Sequence, residues 1–136
     1  MEFKLASGAV LNVTMSSFDD ADALQTALLN AAKGMKLNAD IESQDVSDML
    51  GPILNAATSK EVKAAMFKCF ERVTYNGQRM GKELLDDPEI GERVREDLYE
   101  IQIDVAKVNC GPFIKRAFSL FKGFRKELTA GTPEQK

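Results

Sequence analysis

The sequence predicts a mostly α-helical protein of the α+β class, with about four to five helices and an N-terminal β-hairpin. Apolar residues recur at steps of three and four between residues 87 and 124, and shorter segments upstream show the same spacing. The first fourteen residues alternate at a period of two instead. A chain of 136 residues is long enough for one hydrophobic core. We therefore expect a single domain over residues 1–128 and a polar, disordered tail over 129–136.

The β-hairpin is predicted from the alternation of polar and apolar side chains at the start of the chain. Phe3 and Leu5 lie on one face of the first strand, and Glu2 and Lys4 lie on the other. Ser7-Gly8 supplies the turn. Because an isolated hairpin is only marginally stable in water, it must pack on the helices or pair with the edge of another chain. Packing on the helices is the favoured interpretation.

Two helices are predicted in the first half of the chain, with a loop between them. The first is capped by Ser16 or Ser17, carries acidic residues in its first turn, and closes at Lys33-Gly34. The second covers residues 43–57 and is expected to kink at Gly51-Pro52, because proline lacks the backbone N–H that a helix interior needs.

The second half of the chain predicts a third helix and a long last helix. Thr58-Ser59-Lys60-Glu61 has the form of a capping box, and Asn76-Gly77 is expected to stop the helix that it opens. Residues 78–86 are predicted to form a surface connection. Asp87-Pro88 begins the last helix, which is expected to be interrupted at Gly111-Pro112. The part before this interruption is predicted to build the core through Ile90, Val94, Leu98, Ile101, Val105 and Val108.

Few residues offer catalytic or metal-binding chemistry. Histidine is absent, which removes Ser–His and Cys–His pairs and the commonest zinc sites. Cys69 and Cys110 have no CxxC spacing, and we expect both to be small buried hydrophobes in a reduced, intracellular protein. No P-loop or EF-hand spacing occurs. The sequence therefore predicts no enzyme activity, no cofactor and no metal, and it leaves a cysteine- or carboxylate-based enzyme as the least favoured class.

Carboxylates on the last helix have a simpler interpretation than acid–base catalysis. Glu96 and Glu100 are one turn apart and are expected to form a solvated face beside arginines. Asp97 and Asp104 each adjoin an apolar stripe residue, so that one of the two can be partly buried and paired, with an exposed position on the flank of the helix as the simpler interpretation.

Charge limits the partners that the chain can bind. The net charge of −3 disfavours nucleic acid, which needs a positive field. The chain has no apolar run of about 20 residues and no signal-peptide pattern, so no membrane partner is expected. Residues 83–104 hold nine carboxylates and two arginines, whereas the end of the chain is basic. This segregation suits head-to-tail self-association.

The segment from Phe113 to Phe124 carries four of the eight phenylalanines, interleaved with lysine and arginine. It can be a core helix whose cations cover an apolar groove, an amphipathic helix that docks on a partner or another subunit, or a membrane- or nucleic-acid-binding helix. Its apolar arc is wider than one core face requires, which favours a binding surface. The predicted partner-binding residues are Phe113, Phe118, Phe121, Phe124, Lys115 and Lys122.

The order of elements resembles that of the tail assembly chaperones of long-tailed phages and prophages, over about residues 2–124. The resemblance rests on the hairpin of residues 3–14, on the segment 58–77, and on 95–113 running into Phe118 and Phe121. It implies a non-enzymatic helical protein of the host cytoplasm. Such proteins bind the tape measure protein, keep it soluble and help the tail tube assemble around it, so that the tail tube protein is a second expected partner.

The family that the chain resembles has no active site, so the resemblance assigns no catalytic residues. The predicted contact residues rest on the physical chemistry of the last helix alone. The alternative interpretation is a structural tail or head–tail joining protein that stays in the virion. Mass spectrometry of purified particles separates the two, because a chaperone leaves before the particle is complete.

Overall fold

The computed structural model describes residues 1–33, 54 and 60–131, without the side chains of 32–33 and 112–131. It confirms a mostly helical α+β fold. The described elements are β1 (Glu2–Lys4), β2 (Val10–Val13), α1 (Phe18–Lys33), α2 (Lys60–Cys69), a 3₁₀ turn (Phe70–Arg72), β3 (Val73–Tyr75), β4 (Gln78–Arg79), α3 (Lys82–Leu85) and α4 (Gly91–Gly131).

The predicted hairpin is confirmed and forms half of a larger sheet. β1 pairs with β2 in antiparallel register, and Leu5 N–H donates to the carbonyl of Ala9 across the Ser7-Gly8 turn, at 2.9 Å. Gly8 has φ +97°, a conformation that glycine adopts without a steric penalty. The hairpin packs on the body of the protein, as favoured, since Leu5, Leu11 and Val13 are buried in the main core.

The other half of the sheet corrects the sequence prediction. The strands lie in the antiparallel order β1-β2-β3-β4, so β3 and β4 occupy residues predicted to end the third helix and to form a connection. Asn76 and Gly77 have φ values of +48° and +84°, as a two-residue hairpin turn of the I′ type requires. The side chain of Asn76 also accepts a hydrogen bond from Val10 N–H at 2.8 Å. Asn76-Gly77 is therefore a hairpin turn and not a helix stop.

The core lies between the sheet and the helices α1, α2 and α4. The predicted stripe of α2 is buried at Val62, Ala65, Met66 and Cys69. Both cysteines are free and buried, in agreement with their expected role as small hydrophobes. The largest fully buried side chains are Tyr75, Phe70, Leu11, Leu24, Leu28, Met66, Met80, Ile101 and Val13.

Helix α4 differs from its prediction in one respect. The interruption expected at Gly111-Pro112 is wrong, because one helix of 41 residues runs from Gly91 to Gly131. The predicted capping aspartate is confirmed: Asp87 Oδ1 accepts hydrogen bonds from Glu89 N–H at 2.7 Å and from Ile90 N–H at 3.1 Å. The core stripe is also confirmed, since Val94, Ile101 and Val105 are fully buried and the partly buried Ile90, Leu98 and Val108 pack against the core.

Several predictions lie outside the described residues. They include the kinked helix over 43–57 and the capping residue Thr58, although Leu54 itself is helical and packs against the core. α4 extends three residues into the predicted tail over 129–136, and 132–136 lie outside the description. No helix among the described residues is long and apolar enough to cross a membrane.

Candidate partner-binding surface

The structure places all six predicted partner-binding residues on the second half of α4, where the backbone is helical and side chains are outside the description. At 100° per residue, positions 113, 118, 121 and 124 fall within an arc of about 140°, and Lys115 and Lys122 lie just beyond one border of it. The fully buried Val94, Ile101 and Val105 lie roughly opposite the centre of this arc. The arc lies away from these three residues, but it shares its direction with Ala106 and Cys110, which are fully buried at the end of the described core face of α4.

A second surface feature is an open groove of about 560 Å³ between α2, α3 and α4. Sequence reasoning did not find it. Phe67 is 38% exposed and packs edge-to-face on the buried Phe70, with ring centroids 5.2 Å apart and planes at 75°. This contact favours one orientation of the Phe67 ring at the surface. The groove is lined by Phe67, Lys82, Leu85, Asp86, Arg95 and Leu98.

The wall of the groove is held by tight contacts at the α3–α4 junction. Arg95 Nε donates a hydrogen bond to the carbonyl of Leu85 at 2.8 Å, and its Nη2 lies 3.3 Å from Asp86 Oδ1. A Cβ atom on Gly91 would lie 2.6 Å from the Leu85 carbonyl oxygen, so only glycine lets the start of α4 approach α3 this closely. The groove is thus a preformed feature of the fold.

The surface beside the groove is acidic. Glu83, Glu89, Glu92 and Glu96 are exposed, and we call them the acidic rim. Within the described part of the chain, the one ion pair joins Asp86 to Arg95, both more than half exposed. An exposed pair of this kind contributes little to stability. Residues 82–96 hold six carboxylates against three cations, so this surface keeps a net negative charge that can attract a cationic partner.

Other large apolar side chains are also exposed. Tyr99 is 45% exposed and follows Leu98 of the groove on α4, whereas Met15 and Phe18 are 63% and 76% exposed at the start of α1. The sequence held a signal for the exposure of Phe18 and Phe67, because both lie outside the apolar stripes of their helices. Phe67, for example, directly follows the stripe residue Met66.

Of the two carboxylates beside the apolar stripe of α4, Asp97 is the buried one, and the simpler interpretation as an exposed helix flank is wrong for it. It is 5% exposed, and its Oδ2 accepts hydrogen bonds from Ser7 Oγ at 2.7 Å and Tyr75 Oη at 2.6 Å. Burial, and then the hydrogen bond to Asp97, raises the pKa of Tyr75 to about 12. Nearby, the carboxylate of Glu100 accepts from Ala6 N–H at 3.3 Å. These bonds tie the turn of the first hairpin to α4, which indicates a structural role.

The two cysteines contact consecutive carbonyl groups at the start of α1. Cys69 Sγ lies 3.8 Å from the carbonyl oxygen of Asp20, and Cys110 Sγ lies 3.6 Å from that of Ala21. Burial raises the pKa of both thiols, that of Cys110 to about 12. No group of side chains that could hold a metal ion occurs among the described residues.

We expect both thiols to react slowly with a disulfide reagent such as 5,5′-dithiobis(2-nitrobenzoate) in the folded protein. The thiolate is the reactive form, and at neutral pH burial keeps it scarce. Absorbance stopped-flow measures the rate, and a urea-unfolded sample is the control with two fast thiols. A thiol of the folded protein that reacts as fast as those of the unfolded protein would contradict the buried placement and support a cysteine-based enzyme.

Comparison with known proteins identifies the family to which the chain belongs. No curated protein and no solved structure matches the chain. A family model described as "Phage tail assembly chaperone protein, TAC" matches residues 5–122. The match runs from the end of the first hairpin strand into the second half of α4, and the chaperone role of the family implies a non-catalytic protein. A match over this much of the chain shows that the protein belongs to the phage tail assembly chaperone family.

Proposed function

We propose that this protein binds the tape measure protein in the host cytoplasm, keeps that long helical chain soluble and promotes assembly of the tail tube around it. The observation that carries the proposal is the length of α4. Its 41 residues span about 60 Å, whereas a compact body of 136 residues is only about 35–40 Å across. A helix of this length supports a role in which its second half extends from the core and meets a partner.

The contact residues are Phe113, Phe118, Phe121 and Phe124, with Lys115 and Lys122 beside them. Amphipathic helices pair through apolar anchors that recur at helical spacing, and aromatic side chains provide the strongest anchors at interfaces. Four phenylalanines within an arc of about 140° match this pattern. Lysines at the border of the arc suit carboxylates on the flank of a helical partner.

The proposal is tested by co-expression with the tape measure protein and affinity capture. Phe118→Asp and Phe121→Asp place a charge within the apolar arc, and we expect each to weaken capture at least about tenfold. Ser119→Asp is the matched control, because it adds the same charge to the same helix about 100° outside the arc. It is expected to bind and solubilise the partner as the unmodified protein does.

Circular dichroism of each variant distinguishes the two explanations of a lost interaction. A folded Phe118→Asp protein that no longer captures its partner supports a binding surface. If Phe118→Asp and Phe121→Asp instead unfold the protein, these residues belong to the core and the assignment of the site fails. Normal capture by both folded variants would also contradict it.

A further inference from the structure

We propose that the groove between α2, α3 and α4 binds residues 113–126 of a second copy, so that the protein self-associates head to tail. This inference goes beyond the binding of a tape measure protein, although it shares with the proposed function the premise that positions 113–124 are accessible. Its partner is another molecule of the same chain, recognised through apolar and electrostatic complementarity.

The groove has the size and lining of an aromatic-binding site. Its volume of about 560 Å³ is within the roughly 300–1,000 Å³ typical of ligand pockets. Phe67, Leu85 and Leu98 supply its apolar surface, and the edge-to-face contact with Phe70 orients the Phe67 ring. Phenylalanines spaced along one arc of an incoming helix can fill such a groove.

Charge complementarity indicates which helix fits there. Residues 83–104 carry nine carboxylates against two arginines, whereas 113–126 contain five cations and no carboxylate. The groove lining itself holds Lys82 and Arg95 beside Asp86, so the attraction for a cationic segment comes from the acidic rim. Glu92 and Glu96 are exposed and one helical turn apart, so they repel each other in the isolated protein. A lysine or arginine from the incoming segment relieves this repulsion, which gives the association a strong dependence on salt.

The segment cannot fill the groove of its own molecule. Residues 95 and 98 of the groove and residues 113–126 belong to one continuous helix, on which residue 113 lies about 22 Å further along the axis than residue 98. The occupant must therefore come from another copy. Because the interface joins two different surfaces, the contact can be made reciprocally between two copies or repeated from copy to copy, and the mass that sedimentation gives distinguishes a dimer from a longer chain.

Sedimentation velocity of the full chain tests the proposal. We expect the mean mass to rise between micromolar and sub-millimolar concentrations at low salt, and to fall at about 0.5 M NaCl, where screening is nearly complete. The rim variant Glu92→Lys/Glu96→Lys and the segment variant Lys115→Glu/Lys122→Glu are each expected to associate at least about tenfold more weakly.

Two further proteins separate a specific contact from a general charge effect. The quadruple variant that combines all four reversals keeps the net charge of −3, and its swapped charges are expected to restore association. Glu2→Lys/Glu71→Lys reverses two exposed carboxylates on β1 and the 3₁₀ turn, and it is expected to associate at least as strongly as the unmodified protein. Circular dichroism confirms that each variant is folded.

Three other results would refute self-association, and they can be told apart from a failure to bind the tape measure protein. An unmodified protein that stays monomeric at low salt but captures the tape measure protein refutes self-association alone. A rim variant that associates normally but loses capture would refute the self-association contact and assign the acidic rim to the tape measure protein. Failure of the quadruple variant to regain association would show that residues 92 and 96 do not meet 115 and 122.

Discussion

Replacing Asp97 with alanine is expected to lower the free energy of unfolding by about 2–4 kcal/mol. The Asp97 carboxylate is buried and accepts hydrogen bonds from Ser7 Oγ and Tyr75 Oη at 2.7 and 2.6 Å. Without it, the hydroxyl group of Tyr75, a residue that is 2% exposed, loses its partner in the interior. Ser7 is exposed and can turn to water, so most of the cost comes from Tyr75. Urea unfolding followed by circular dichroism measures the change.

Asp104→Ala is the matched control, because Asp104 is a half-buried carboxylate on the same helix. Burial raises the pKa of Asp104 by more than the nearby Lys107 lowers it, so its charged form is disfavoured overall and its removal is expected to cost less than about 1 kcal/mol. A double-mutant cycle with Tyr75→Phe isolates the bond itself, with an expected coupling of about 1–2 kcal/mol. An Asp97→Ala protein as stable as the unmodified one would show that this bond does not hold the hairpin turn to α4.

Phe70→Ala is expected to destabilise the protein by about 3–5 kcal/mol, because the ring is fully buried and its removal leaves a cavity. Phe67→Ala should cost less than about 1.5 kcal/mol, because the Phe67 ring is 38% exposed and loses mainly its edge-to-face contact with Phe70. The same urea titration measures both variants. The contrast tests whether Phe67 is a surface residue of the groove or a member of the core.

The same two variants are also compared in the self-association assay. Phe67→Ala should leave the fold intact and weaken association, whereas Phe70→Ala changes the stability of the whole domain. Equal destabilisation by the two substitutions would place Phe67 in the core and remove the aromatic floor of the groove.

Local patterns predicted those parts of the fold in which neighbouring residues decide the structure. The alternation around Phe3 and Leu5 predicted the first hairpin, and the helical spacing from Val94 to Val105 predicted the buried face of α4. The second hairpin was missed because Val73 falls at helical spacing after Cys69 and Phe70, and is buried in either conformation. The Asn76-Gly77 pair was the available signal, since it strongly favours a two-residue hairpin turn.

The candidate surfaces depend more on contacts between distant residues. Asp97 was one of two carboxylates that could be buried, and only the approach of Ser7 and Tyr75 from the sheet distinguishes it from Asp104. The groove could not be predicted, because Phe67 and Leu98 are far apart in sequence and meet only through the packing of α2 on α4. The aromatic segment on α4 remains a prediction from sequence.

Pro112 has a mechanical consequence for α4. A proline inside a helix has no N–H to donate, so the carbonyl of Val108 lacks its normal hydrogen-bond partner one turn later, even though the helix continues. The helix is therefore less stiff under bending at this point than on either side of it. The missing bond lies just beyond Asn109, whose buried side chain accepts from Ser16 N–H at 2.8 Å. A load applied to the far half of α4 would consequently bend the helix at Pro112 before it disturbs the sheet-bound half.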